Sequence, residues 1–252
     1  MPLLRDLLAR RTDLSTFIVH LTRTFDSGSG ASNLRQSLAE RRLEARSPFG
    51  AAMSTLRKRG SPSQDAASQR CVCFTETPLE HLHLLLSPIH DLQRNCEFEP
   101  YGLAFTKRMA RDAGINPVWY TDITPGHDWL MNSVNQLIDS ALDHLQQLRS
   151  SGDAVTTFGQ YAIAKLTPFV EQMGSGPNYR KEFWWEREWR YCGSHFRLPS
   201  RFIGLCPEPE IAAFEAFAAA EQFPVRFVDP SWGLEQIIAR LAGFRADDVE
   251  IL

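Results

Sequence analysis

Two stretches carry residues that could act together on one substrate: Val19-His20-Leu21-Thr22-Arg23 near the start of the chain, and Glu182-Phe183-Trp184-Trp185-Glu186-Arg187-Glu188-Trp189-Arg190-Tyr191 near its end. Strand alternation predicts Glu182, Glu186, Glu188 and Arg190 on one face. Carboxylates two residues apart on one face repel, and a segment with Trp184, Trp185, Trp189 and Tyr191 is not expected to meet water on both faces. Holding charge there costs stability, and active sites are a common reason for it. Glu186 or Glu188 could stabilise an oxocarbenium-like centre, as carboxylates do when a glycosidic bond breaks. The competing reading is an ion-pair ladder with Arg187 and Arg190. His20 and Thr22 fall on one face of a predicted strand that opens into a Ser/Gly loop, a placement suited to hydrogen-bonding a ribose or an amide. The competing reading of the histidine is a buried ring satisfied by a backbone carbonyl.

Other chemistries find less support. Cys71-x-Cys73 and His81-x-His83 have no CxxC spacing, and a helix would turn the two histidines apart, so small core cysteines and no metal are predicted. Ser27-Gly28-Ser29-Gly30 matches neither the dinucleotide-binding nor the Walker glycine pattern, and no G-x-S-x-G is present. Rossmann dehydrogenase, kinase and serine hydrolase readings drop away. No paired acidic metal site favours a nuclease.

The elements that would position these residues follow from periodicity and turn chemistry. Phe17 to Arg23 reads as a first strand, Thr24 to Ser32 as a loop, and Asn33 to Ala45, with Leu34, Leu38 and Leu43, as a helix. Arg59 to Arg70 reads as a loop and Cys71 to Glu76 as a second strand. Thr77-Pro78 looks like an N-cap and first helical position for a helix to Leu86. Tyr101 to Phe105 and Pro117 to Thr121 are further strands, with a short helix from Lys107 to Ala113 closed by Gly114. Leu130, Val134, Leu137, Ile138, Leu142, Leu145 and Leu148 keep a helical period, and Gln160 to Glu171 reads as a second helix beside them. After the Trp-rich strand come strands near Phe202 to Cys206 and Val225 to Val228, alternating with helices Pro207 to Gln222 and Trp232 to Leu241. The pattern lacks strict βαβ regularity, which predicts an α+β fold. The expected organisation is a single domain over 1–252 with a helical insertion at about 128–173.

The chain has 252 residues and 43% hydrophobic residues, enough for a sizeable core. Met1 to Leu8 is amphipathic but too short and charged for a signal peptide or membrane span. Five cysteines without framework spacing suit a reduced, cytoplasmic protein. Residues 1–70 hold 12 Lys+Arg against 6 Asp+Glu. Arg41-Arg42, Arg46 and Arg57-Lys58-Arg59 could meet phosphate, but a solvated helical face explains them at least as well.

Cys73-Phe74-Thr75-Glu76-Thr77-Pro78-Leu79, Tyr101-Gly102-Leu103-Ala104-Phe105, Asn116-Pro117-Val118-Trp119-Tyr120 and Glu186-Arg187-Glu188-Trp189-Arg190-Tyr191 together resemble the AbiGi family of abortive phage resistance proteins. That resemblance implies a phage-defence setting and an antitoxin-like protein with a toxin partner. A more distant resemblance is to the ADP-ribosyltransferases, which place a His or Arg on a first strand, a hydroxyl residue on a second and an E-x-E on a late one. It implies a mixed, largely antiparallel sheet core and NAD as substrate, with a nucleic acid or a protein as acceptor. By this likeness His20 and Thr22, or Arg23, would hold the ribose and nicotinamide amide. Thr75 would take the second-strand position, Tyr101 or Tyr120 would stack on the nicotinamide, Glu188 would stabilise the oxocarbenium and Glu186 would guide the acceptor. The chain lacks the Ser-Thr-Ser of that family's second strand.

Overall fold

The computed structural model describes residues 13–25, 28–46, 49–87, 98–152 and 155–244, so the Met1 to Leu8 pattern lies outside the described residues. The chain forms β1 (Phe17–Leu21), α1 (Gly30–Glu40), β2 (Arg42–Glu44), α2 (Met53–Lys58), α3 (Ser63–Ala66), β3 (Cys71–Thr75), α4 (His83–Leu86), β4 (Gly102–Thr106), α5 (Lys107–Asp112), β5 (Asn116–Pro117) and β6 (Trp119–Asp122). There follow α6 (Trp129–Ser150), α7 (Ala162–Leu166), β7 (Val170–Gly176), β8 (Tyr179–Lys181), β9 (Glu188–Cys192), β10 (His195–Arg197), β11 (Ile203–Leu205), α8 (Ile211–Ala220), β12 (Phe227–Val228) and α9 (Leu234–Ala242).

The main sheet has the order β12-β11-β4-β1-β3-β9-β5 and is antiparallel except for the β11–β12 pair. The mixed α+β class and the largely antiparallel sheet are therefore as expected. A second sheet, β6-β7-β8, and a ribbon of β10 with β2 complete the strands. Val19 and Leu21 pack with Leu82, Leu85, Leu205 and Ile237 on one face of the main sheet. Ile18, Phe74, Leu103 and Phe105 pack with Leu34, Leu38 and Phe214 on the other. Leu34 and Leu38 are fully buried, and side chains of this size contribute roughly 1.5–3 kcal/mol each by leaving water. The long α6 buries Ile138, Leu142 and Leu145 against Leu56, Phe158 and Ala164. Its C-terminal Arg149 clasps the fully buried Asp65 with two bonds of 2.9 Å.

One property of the main sheet governs the site. β1 and β4 are in register over five pairs, from Phe17 opposite Thr106 to Leu21 opposite Gly102. A Cβ on Gly102 would lie 2.3 Å from the His20 carbonyl oxygen, so only glycine allows that approach. On its other side β1 meets β3 at a single pair, Val19 opposite Thr75. β3 then pairs with β9 over five residues, including Cys73 opposite Arg190 and Thr75 opposite Glu188. The sheet is thus two well-laddered halves joined by a seam one residue pair wide.

Several expected elements differ. The helix expected over Asn33 to Ala45 runs from Gly30 to Glu40, because Ser29 caps it through the Ser32 amide and Arg41 ends it in a left-handed conformation, which releases Leu43 into β2. Arg59 to Arg70 contains α3 rather than loop alone. Thr77 does not cap the following helix; its hydroxyl pairs with Thr75, 2.8 Å away. Pro117 to Thr121 is split at Val118 into β5 and β6, which join different sheets; Pro117 is tolerated because β5 is an edge strand. The helix expected over Gln160 to Glu171 breaks at Thr167-Pro168, and Val170 onward is β7.

The Trp-rich segment carries the main correction. Trp184–Glu186 is one turn of 3-10 helix, Arg187 adopts a left-handed conformation with φ of 47°, and the strand begins only at Glu188. Glu182, Glu186 and Glu188 therefore do not share one strand face; only Glu188 and Arg190 do. Trp189 and Tyr191 pack against the core, whereas Trp184 is 60% exposed.

Candidate functional site

A cavity of about 460 Å³ opens where β1 and β3 part beside the seam. His20, Thr22, Arg23, Thr75, Glu186 and Glu188 all line it, so six of the eight residues singled out in the sequence meet in one place. Its size lies within the usual range for small-molecule sites.

His20 bridges the seam. Its Nδ1 lies 2.8 Å from the Cys73 carbonyl, a group that an unbroken β1–β3 ladder would have paired with a backbone amide. That partner assigns the proton to Nδ1 and leaves Nε2 as an acceptor. Burial, with the nearby charges of Arg23 and Arg46, lowers its pKa from 6.5 to about 4, so the ring is neutral. The backbone-carbonyl reading of this histidine therefore holds, on a ring that also borders the cavity. Thr22 is buried, and its hydroxyl donates to the carbonyls of Gly30 at 2.9 Å and Tyr101 at 3.1 Å. It shapes the wall by tying the end of β1 to the start of α1.

Across the seam, the Thr75 hydroxyl donates to the Glu186 carbonyl and lies 2.8 Å from the Thr77 hydroxyl. It fixes the tight turn that brings Glu186 to the cavity, and Arg187 completes that turn by reaching the Asp13 carbonyl at 2.7 Å. Glu188 accepts from both Nε and Nη2 of Arg190, each at 2.8 Å. Arg190 is 2% exposed and also donates to the Pro168 carbonyl and to Glu171, whose other oxygen pairs with Lys181. Burial opposes the charge on Arg190, but Glu188 foremost among its neighbours outweighs that and raises its pKa well above the ordinary value. The carboxylate of Glu188 is thus compensated by a buried, forked cation.

The two tyrosines lie elsewhere, which corrects their expected stacking role. The Tyr101 hydroxyl donates to Glu210 at 2.6 Å and its ring packs on Phe214, 5.7 Å between centroids. The Tyr120 hydroxyl accepts the Glu188 backbone amide at 2.7 Å, which helps start β9, and burial raises its pKa. Neither ring lines the cavity.

Sequence reasoning missed Glu171, Lys181, Asn33, Phe25 and Phe49, all of which line the cavity. Glu171 was hidden because β7 begins within a stretch that reads as helix, and Lys181 because it lies on β8, a short strand that was not expected. Arg46 was visible only as one of many basic residues. Cys71 and Cys73 line it too, their sulfurs 3.9 Å apart. Among the described residues no group of three or more His, Cys, Asp and Glu side chains is arranged to hold a metal ion. Nor is any described helix long and apolar enough to cross a membrane.

The arrangement can receive a small polar molecule between a cationic wall, the acceptor nitrogen of a neutral histidine and the carboxylates of Glu186 and Glu188. Residues 44–204 match the model of a family described as "Putative abortive phage resistance protein AbiGi, antitoxin". No curated protein and no solved structure matches the chain.

Proposed function

The chain belongs to the AbiGi family, and from that membership we propose that it serves in abortive-infection defence against phage as the antitoxin-type member of a two-component system, neutralising a toxin by direct binding. The observation that carries this reading over chemistry is the bidentate Glu188–Arg190 pair. A carboxylate with both oxygens on a buried guanidinium has little charge left with which to stabilise a developing cation. Exposed Trp119, Trp129 and Trp184 supply aromatic surface of the kind that anchors protein partners. In the test, the chain is expressed alone and together with a candidate toxin. Harmless expression alone, rescue of growth and co-purification are expected; toxicity of the chain by itself would overturn the reading.

A second reading, ADP-ribosyl transfer from NAD to a nucleic-acid or protein acceptor, is favoured by the convergence of His20, Thr22, Arg23, Thr75, Glu186 and Glu188 on one cavity. His20 Nε2 and the two carboxylates suit a ribose, while the Thr22 hydroxyl already serves backbone carbonyls. Incubation with labelled NAD and a mixture of DNA, RNA and cell lysate, wild type beside Glu188→Gln, decides it. Label transferred by the wild type alone establishes a transferase. No transfer with either protein removes this reading.

A further inference from the structure

We propose that Arg23 and Arg46 form an anion subsite in the cavity, which binds the phosphoryl group of a nucleotide-sized molecule. Both side chains line the cavity. Neither forms an ion pair with a carboxylate among the described residues, whereas Arg42, Arg59, Arg187 and Arg190 all do. Both charges reach His20 and help depress its pKa. An anion bound in the cavity would offset them.

The geometry holds the two guanidiniums in place without satisfying their charge. Arg46 lies over the Phe25 ring at 4.9 Å, and Arg23 over the Phe49 ring at 6.0 Å. Stacking engages the face of a guanidinium and leaves its N–H edge available. Arg46 donates through Nη1 to the Asn33 side-chain oxygen at 3.0 Å. The amide nitrogen of the same Asn33 donates to the Arg23 carbonyl at 2.8 Å and the Gly28 carbonyl at 3.2 Å. One buried asparagine thus links both arginines. Forked guanidiniums match phosphoryl oxygens in planar, bidentate geometry. Of the acids that line the cavity, Glu44 is paired with Arg42 at 3.0 Å and Glu188 with Arg190 at 2.8 Å. The remaining volume has room for more than the anion itself, which points to a nucleotide rather than to free phosphate.

The inference shares its cavity and Arg23 with the transfer reading but not that reading's chemistry: ADP can bind here while no label is transferred, and toxin binding is read separately. The test is isothermal titration of the full chain with ADP, adenosine and inorganic pyrophosphate, for wild type, Arg23→Gln, Arg46→Gln and Arg46→Lys. ADP is expected to bind more tightly than adenosine and to weaken as salt rises, with pyrophosphate competing. Each glutamine variant is expected to lose about tenfold or more in ADP affinity, and Arg46→Lys, which keeps the charge without the fork, less. Melting temperatures close to wild type show that the variants are folded. Pyrophosphate binding alone, without preference for ADP, would overturn the nucleotide assignment. Equal binding of ADP and adenosine, unchanged affinity in both glutamine variants, or no binding of ADP or pyrophosphate would overturn the subsite.

Discussion

Arg190→Met tests whether the ion-pair chain beneath the cavity is structural. The substitution keeps an unbranched apolar stem but deletes the donors that serve both Glu188 oxygens, Glu171 and the Pro168 carbonyl. Removing one partner of a buried pair costs about 3–5 kcal/mol, because the other charge is left uncompensated. In a domain of this size each kcal/mol moves the melting temperature by about 2–4 °C. The expected fall is therefore about 6–20 °C, read by calorimetry or circular dichroism. Glu188→Gln retains an acceptor for Arg190 and should cost less, about 1–3 kcal/mol. The triple variant Arg190→Met, Glu188→Leu, Glu171→Leu should recover part of the loss, since charge rather than shape is at fault. A fall of less than about 3 °C for Arg190→Met would refute the structural role, and a triple variant no more stable than the single one would refute the electrostatic reason for it.

Two further predictions address β1. The folded chain keeps His20 neutral down to about 4 while the unfolded chain protonates it near 6.5, so this residue's stabilisation is complete above pH 6.5 and lost as pH falls toward 4. The loss is about 3 kcal/mol. His20→Asn, which keeps a donor for the Cys73 carbonyl, should flatten the stability profile over that window in urea titrations, and an identical slope in both proteins would count against the assignment. Gly102→Ala places a methyl on the His20 carbonyl and should cost about 1–3 kcal/mol or more by forcing β1 and β4 apart; an unchanged melting temperature would show that the strands yield freely there.

Local signals made much of this architecture legible. β1, β3, β4 and α6 lie within a residue or two of their expected bounds, because β-branched runs and a sustained leucine period report burial directly. The failures lie where tertiary context overrides the pattern. Residues 182–188 alternate like a strand, yet Thr75 captures the Glu186 carbonyl and turns the chain before Glu188. β7 follows a helical turn without a break in hydrophobicity, and its Glu171 gains meaning only from Arg190, 19 residues away. The site was legible as residue types on two strands. The cavity between those strands was not, since nothing in either strand announces that they meet at one pair.

That seam has a consequence for cooperativity. The β12-β11-β4-β1 half and the β3-β9-β5 half share few backbone bonds, so side-chain bridges such as His20 to the Cys73 carbonyl carry much of the connection between them. Residues from both halves line the cavity. Occupancy of the cavity and the relative order of the halves are therefore linked quantities: a bound molecule acts as an added rung between β1 and β3, and slowed amide exchange along their facing edges would be its signature.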